Sequence, residues 1–264
     1  MLELKVAVQL GTLHQPFRDA LDSLANFGVQ AVELDLRRGM RMEDLTRTAI
    51  RQILKLLDDR KMRICSVRFA TRRGYDDLEG LERRVEATKQ AMTKAFELGA
   101  TVVCNPLTHV PETGTDAWTL MHQVLFDLAR HSSKVGASLA LSTQVPSDDL
   151  KRLLDEASAG VVLELDPAGV LMAGSRPVEV VEMLGDRILH VRVRDAIRDQ
   201  SRKGGQEVQV GRGMVDFPEL LGKLEERQYQ GWLMLGRDDP ETTNTAASLE
   251  ELGAGIEFLR NLWM

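Results

Sequence analysis

Two short apolar runs carry the residues best equipped for chemistry. Glu164 and Asp166 stand two apart in the run from Val161 to Asp166, and His190, Arg192 and Arg194 alternate in the run from Ile188 to Arg194. In an extended chain alternate residues share a face, so each set points one way. If the two runs are neighbouring strands, acids meet bases. A charge at such a position is costly to bury unless paired, so ionic contacts between the runs are the economical expectation. Glu33 with Asp35, Arg68, Asn105, Ser142 with Thr143, and Gly236 with Arg237 close other runs of the same kind. The generic signatures G-x-G-x-x-G after a strand, G-x-x-x-x-G-K, H-E-x-x-H and paired C-x-x-C do not occur, which removes support for dehydrogenase, NTPase and zinc-protease readings.

The elements that must position these residues repeat along the whole chain. Eight aliphatic or β-branched runs are legible: Leu4 to Leu10, Ala31 to Asp35, Arg63 to Arg68, Thr101 to Asn105, Ala137 to Ser142, Val161 to Asp166, Ile188 to Arg194 and Gly231 to Gly236. Between them, segments such as Leu81 to Leu98, Trp118 to Lys134, Ser147 to Ala157 and Phe217 to Gln228 space apolar residues three and four apart, as helices do. Gly28, Gly99 and Gly136 fall where helices should end, and Ser147 with Asp148 after Pro146 reads as a helix start. Strict alternation makes a parallel sheet, and eight units in about 250 residues fit a closed (β/α)8 TIM barrel. No linker divides residues 1–264, so a single barrel domain is expected. In a barrel the C-terminal strand ends carry the site, which makes Glu33, Arg68, Asn105, Ser142, Asp166, His190, Arg192 and Arg237 the pocket candidates. The longest irregular stretch, Asp195 to Asp216, lies on that rim. Its middle, Arg202-Lys203-Gly204-Gly205, reads either as a mobile lid or as a solvated loop.

Composition narrows the function classes. The 264 residues are 43% hydrophobic and 28% charged with net charge −6, giving a pI near 5.5, so no sequence-wide basic field favours nucleic acid. No apolar run reaches the roughly 18 residues of a membrane span, and the N-terminus has no secretory pattern. Cys65 and Cys104 sit inside apolar runs and read as core residues of a cytoplasmic protein, without a disulfide.

Val8-Gln9-Leu10, Val32-Glu33-Leu34, Leu165-Asp166-Pro167-Ala168, His190-Val191-Arg192-Val193-Arg194-Asp195-Ala196 and Gly211-Arg212-Gly213-Met214-Val215-Asp216-Phe217 together resemble the sugar phosphate isomerase/epimerase family, the relatives of xylose isomerase. The resemblance spans all eight units and is most specific from Asp166 to Gly236. It implies a xylose isomerase-like barrel and a divalent metal held by Glu, Asp, His and Glu at the ends of strands five to eight. Only the Asp is kept, as Asp166. Ser142 stands at the first Glu position, and a hydroxyl is a poor base near neutral pH. Arg192 stands at the His position of H-x-H-x-K-D, and a guanidinium has no lone pair for a cation. Gly236 stands at the second Glu position.

These replacements imply no bound metal and no cofactor, and a barrel that keeps a pocket for a sugar or an anionic small molecule without the metal chemistry. Three other readings stay open. One is a metal-independent isomerase or epimerase using Asp166 or Glu33 as base and arginines to stabilise an enediolate. Another is a metal displaced to His14, Glu33 and His109, and a third is an assembly surface at Phe258-Leu259 and Leu262-Trp263-Met264, which could equally cap the barrel. The sequence sets neither the ligand nor the oligomeric state. The charge logic predicts Arg192 beside Asp166 in the cation's place.

Overall fold

The computed structural model describes residues 4–107, 109–142, 146–157, 159–199, 204–237 and 244–262. The expected runs form strands β1 (Val6–Gln9), β2 (Ala31–Asp35), β3 (Arg63–Arg68), β4 (Val102–Pro106), β5 (Ser138–Ser142), β6 (Val161–Leu165), β7 (Ile188–Val193) and β10 (Leu233–Leu235). They close into a parallel barrel in the order β1-β10-β7-β6-β5-β4-β3-β2. Around it lie helices α1 (Phe17–Asn26), α2 (Arg47–Asp58), α3 (Leu81–Glu97), α4 (Asp116–Val135), α5 (Asp148–Glu156), α6 (Pro167–Met172), α7 (Pro177–Leu184), α8 (Phe217–Glu226) and α9 (Thr245–Leu262). Among the described residues no helix is long and apolar enough to cross a membrane.

Local chemistry sets the element ends. The Ser147 hydroxyl accepts the Leu150 amide at 3.1 Å and opens α5, and Thr115 accepts Trp118 N–H at 3.2 Å to open α4. Helix α4 stops at Gly136, whose φ of 82° is the left-handed terminal conformation that glycine adopts without strain. On the strands, residues such as Val8, Val32, Leu139 and Leu163 turn outward and pack in the main core under the helices. The opposite faces are filled by two small separate clusters, Ala7, Ala31, Cys65 and Met234, and Val102, Cys104, Ala140 and Val162. Both thiols are buried and free. Burial pushes the Cys65 thiol up to about 12, with the Glu33 carboxylate adding to the rise against its hydroxyl contact with Ser66.

The described residues between Asp195 and Asp216 include regular structure that the sequence pattern does not show. Strands β8 (Asp195–Ile197) and β9 (Gln206–Val208) pair antiparallel as a hairpin. Of the proposed lid, Arg202 and Lys203 lie outside the described residues, as do Thr143 and the terminal Trp263 and Met264. The rest of the C-terminal apolar segment packs inward: Leu259 is buried, and Phe258 meets Phe217 edge to face at 5.6 Å.

Candidate functional site

The small alanines inside the barrel leave room for the largest fully buried side chain of the described residues, Arg192. From β7 it crosses the interior and meets three acceptors. Its Nη2 donates to Glu33 Oε1 at 2.8 Å, its Nε to Glu164 Oε1 at 3.3 Å, and its Nη1 to Gln9 Oε1 at 3.1 Å. Arg192 is 1% exposed and both carboxylates are 0% exposed, so the cation is compensated inside a low-dielectric interior, as its survival there requires. Ser66 donates to Glu33 Oε2 at 2.9 Å. His190 Nε2 lies 3.7 Å from the same oxygen, and Arg68 Nη1 lies 3.7 Å from Glu164 Oε2. Burial alone would raise the Glu164 carboxyl, but the Arg192 and Arg68 guanidiniums, helped by the Ser142 hydroxyl, hold it at about 2. Burial dominates at His190 and lowers its pKa, so its imidazole is neutral at pH 7.

A second ionic chain runs along the rim. Arg194 Nη1 donates to Asp166 Oδ2 at 2.6 Å, and its Nε and Nη2 clasp the two oxygens of Glu207 on β9 at 3.0 and 2.6 Å. This is bidentate geometry, which ties the hairpin to the barrel. Arg237 lies 3.7 Å from Glu207 and bonds Glu251 of α9 at 2.6 Å. The expected Arg192–Asp166 pair is therefore corrected: Arg194 takes Asp166, and Arg192 is spent on Glu33 and Glu164. The other Asp166 oxygen accepts the Gly169 amide at 3.2 Å and caps α6, which aims the carboxylate at the rim instead of the interior.

Beside this chain, Asp195 organises the loop that follows β9. Its carboxylate accepts backbone N–H groups from Ala196 (2.9 Å), Gly211 (3.0 Å), Gly213 (2.8 Å) and Val215 (3.1 Å). A Cβ at position 213 would collide with that carboxylate, which explains the glycine.

The barrel mouth opens into a cleft of about 470 Å³ lined by Gln9, His14, Asp35, Arg37, Arg38, Arg68 and Arg237 among others. Of the expected pocket residues, Arg68 and Arg237 line it. Glu33, Glu164, His190 and Arg192 form the buried layer beneath, and the Ser142 hydroxyl contributes to that layer by lowering the Glu164 carboxyl. Asn105 is not brought to the cleft. Its amide donates to Tyr75 Oη at 2.6 Å and its carbonyl accepts from Thr71 Oγ1 at 3.2 Å, fixing the loop after β3. Sequence reasoning passed over Gln9 as a partner of Arg192, and Arg37 and Arg38 as cleft walls. The signal for the last two was present: consecutive arginines directly after the strand-two carboxylate Asp35.

A family model described as xylose isomerase-like TIM barrel matches residues 21–262. The chain belongs to this family. Among sequence relatives, the rhizopine catabolism protein MocC of Rhizobium meliloti is 29% identical over 176 residues, covering 60% of this chain and 53% of MocC. An inosose dehydratase of Clostridium beijerinckii is 24% identical over 149 residues, covering 49% of this chain and 50% of the dehydratase. The chain thus spans about half the length of each of these two relatives. A xylose isomerase domain protein from Planctomyces limnophilus superposes with a TM-score of 0.82 at 20% identity, covering 98% of this chain and 96% of that one, a likeness of fold.

The donor set of a xylose isomerase-like metal centre does not fit here. At the four positions that the resemblance assigns to ligands, Gly236 has no donor atom and Arg192 is a cation. Asp166 has one oxygen on Arg194 and the other on a helix N-terminus. The space for a Glu at 236 is taken as well, since a Cβ there would lie 2.6 Å from Gln9 Cβ. The displaced site at His14, Glu33 and His109 is also corrected. Glu33 is sealed in the interior on Arg192, His14 lines the open cleft, and His109 bonds Asp76 at 2.9 Å.

Among the described residues one group, Glu33, Cys104, Glu164 and His190, has potential ligand atoms within 4.8 Å of one another. Its two carboxylates already share the Arg192 guanidinium. Burial, reinforced by Glu164 and Glu33, pushes the Cys104 thiol well up, which keeps it protonated and a poor ligand.

Proposed function

We propose that this barrel binds a sugar or a sugar-like anion at its mouth and works without a divalent metal, having exchanged the metal-assisted proton transfer of the resembled enzymes for a fixed protein cation. The observation that carries this reading is Arg192, whose three guanidinium nitrogens donate to Glu33, Glu164 and Gln9. A guanidinium supplies positive charge but no coordination site and no exchangeable water, so neither Lewis-acid polarisation nor metal-bound hydroxide is provided from this position. The names of the sequence relatives add inosose, a carbocyclic ketone of sugar-like hydroxylation, to the ligands to be tried.

Metal content and thermal shift test the reading. A specific site filled at 100 times its dissociation constant adds about 2.7 kcal/mol of stability. Purified protein is expected to hold no stoichiometric divalent metal and to melt at the same temperature with Mg²⁺, Mn²⁺ or Zn²⁺. A cation-specific rise in Tm overturns it.

A second reading, a metal-independent isomerase or epimerase, draws on one observation: His14 and Asp35 line the cleft together with Arg68 and Arg237. That set places proton-accepting groups beside cations able to stabilise an enediolate. Glu33 does not serve as its base, because the carboxylate is buried against Arg192 and Ser66. Incorporation of solvent deuterium into a sugar or inosose would favour this reading over binding alone.

A further inference from the structure

The cleft at the mouth adjoins a second one of about 630 Å³, and the two share Arg37, Arg38 and Ala70. Together their walls carry six arginines, Arg37, Arg38, Arg41, Arg68, Arg72 and Arg237, against the carboxylates of Asp35 and Glu43, in a chain whose net charge is −6. Some of these cations are neutralised: Arg41 by Glu43 at 2.9 Å and Arg237 by Glu251 at 2.6 Å. Among the described residues no ion pair engages Arg37, Arg38 or Arg72.

These three are also pre-positioned. Asp35 Oδ1 accepts the Arg37 and Arg38 amides at 2.7 and 2.8 Å, fixing the backbone of the turn that carries both. The Arg37 guanidinium stacks 4.2 Å from the ring centroid of buried Phe69, which orders it without using its N–H donors. The loop bearing Arg72 is held through the preceding Thr71, whose N–H and hydroxyl both donate to buried Asn105 at 3.4 and 3.2 Å. Ordering in advance removes part of the cost of binding, and planar five-donor guanidiniums match the oxygens of a phosphomonoester.

We propose that Arg37, Arg38 and Arg72 form a binding site for the phosphate of a small phosphomonoester whose polyol part extends toward the barrel mouth. This rests on the reading of the mouth as a sugar site and names the charge that the ligand carries. Clefts of several hundred cubic ångströms suit a small molecule better than a polymer. The site lies at the lip between the loops after β2 and β3, away from the buried Arg192 layer.

Calorimetric titration of the full chain with inorganic phosphate, a hexose and the same hexose 6-phosphate tests it, at 50 and at 300 mM salt. The expected result is at least tenfold tighter binding of the phosphorylated sugar, weakened by salt. In Arg37→Gln/Arg38→Gln/Arg72→Gln that preference is expected to vanish, the hexose phosphate losing at least tenfold more affinity than the unphosphorylated hexose. All three side chains are exposed, and an unchanged Tm shows that the variant folds. Equal affinity for both sugars, an undiminished preference in the triple variant, or tighter binding of a short DNA duplex than of the hexose phosphate would each overturn the proposal. Failure of the metal-free reading shows separately, as cation-specific stabilisation that these three substitutions leave untouched.

Discussion

Glu33 and Arg192 meet inside the barrel, 159 residues apart in sequence, with Arg192 Nη2 donating to Glu33 Oε1 at 2.8 Å. Neither side chain is more than 1% exposed. Removing only this cation leaves Glu33 without a cationic partner and Glu164 with only the more distant Arg68, so Arg192→Ala is expected to lose on the order of 3–5 kcal/mol by urea denaturation. A cycle with Glu33→Ala should be strongly non-additive, because contacting residues couple. The cycle of Arg192→Ala with Asp166→Ala should be nearly additive, since Asp166 bonds Arg194. Strong coupling to Asp166 and none to Glu33 would contradict this geometry.

Asp195 gathers four backbone amides that otherwise lack a carboxylate acceptor. Each buried donor left unsatisfied costs about 1–3 kcal/mol. Asp195→Ala should therefore open the loop from Gly211 to Val215, with faster hydrogen exchange at the amides of residues 211, 213 and 215. Asp195→Asn keeps a carbonyl oxygen and should fall between. Unchanged protection in Asp195→Ala would remove the organising role.

The barrel was legible because β-branched runs alternate with helical spacing, and the family because its motifs span the same units. The ion pairs were not, and β6 and β7 show why. Leu165 is registered with Val191, which puts Asp166 level with Arg192. Level does not decide contact for so long a side chain. Asp166 leaves the strand to cap α6, while Arg192 reaches across to Glu33 on β2, a contact that spacing within either strand cannot reveal. Glu164 faces the interior as period two implies. Ionic contact between the two runs is legible, but the sequence assigns Arg192 to Asp166, and its sharing among Glu33, Glu164 and Gln9 depends on closure of the barrel.

Stability should fall as the solution is acidified, in two stages. His190 is held below its ordinary value of 6.5, chiefly by burial, with Arg192 and Arg68 reinforcing and Glu164 and Glu33 opposing. The unfolded chain then binds the imidazole proton first, so stability is full above about pH 6.5 and declines below it. Glu164 lies at about 2 against its ordinary 4.5. Its contribution, on the order of 3 kcal/mol, is present above pH 4.5 and lost as the pH falls toward 2. Denaturation midpoints between pH 8 and 5 should drop on the acid side, and His190→Asn should flatten that first stage. A wild-type protein that gains stability from pH 7 to 5.5 would refute the assignment.

Gly236 lies just past the end of β10 and packs against Gln9. An added Cβ would meet Gln9 Cβ at 2.6 Å and Gln9 Oε1 at 2.7 Å. Real Cβ contacts are not that short, and the first of these atoms belongs to a fixed stem that a change of rotamer does not move. Gly236→Ala should therefore destabilise by about 1–3 kcal/mol through overpacking. Part of the loss should also come from Gln9, because displacing its amide takes away an acceptor that Arg192 Nη1 now holds at 3.1 Å. Gln9→Gly removes the obstructing stem, so Gly236→Ala should cost less in that background than in the wild type, although the background itself is weaker. For the same reason Gly236→Glu alone is expected to disturb the Arg192 cluster without creating cation-dependent stability. If Gly236→Ala is neutral, or costs as much with Gln9→Gly as without it, then Gln9 does not exclude a side chain from this position, and the filled space is not what separates this barrel from a metal-holding one.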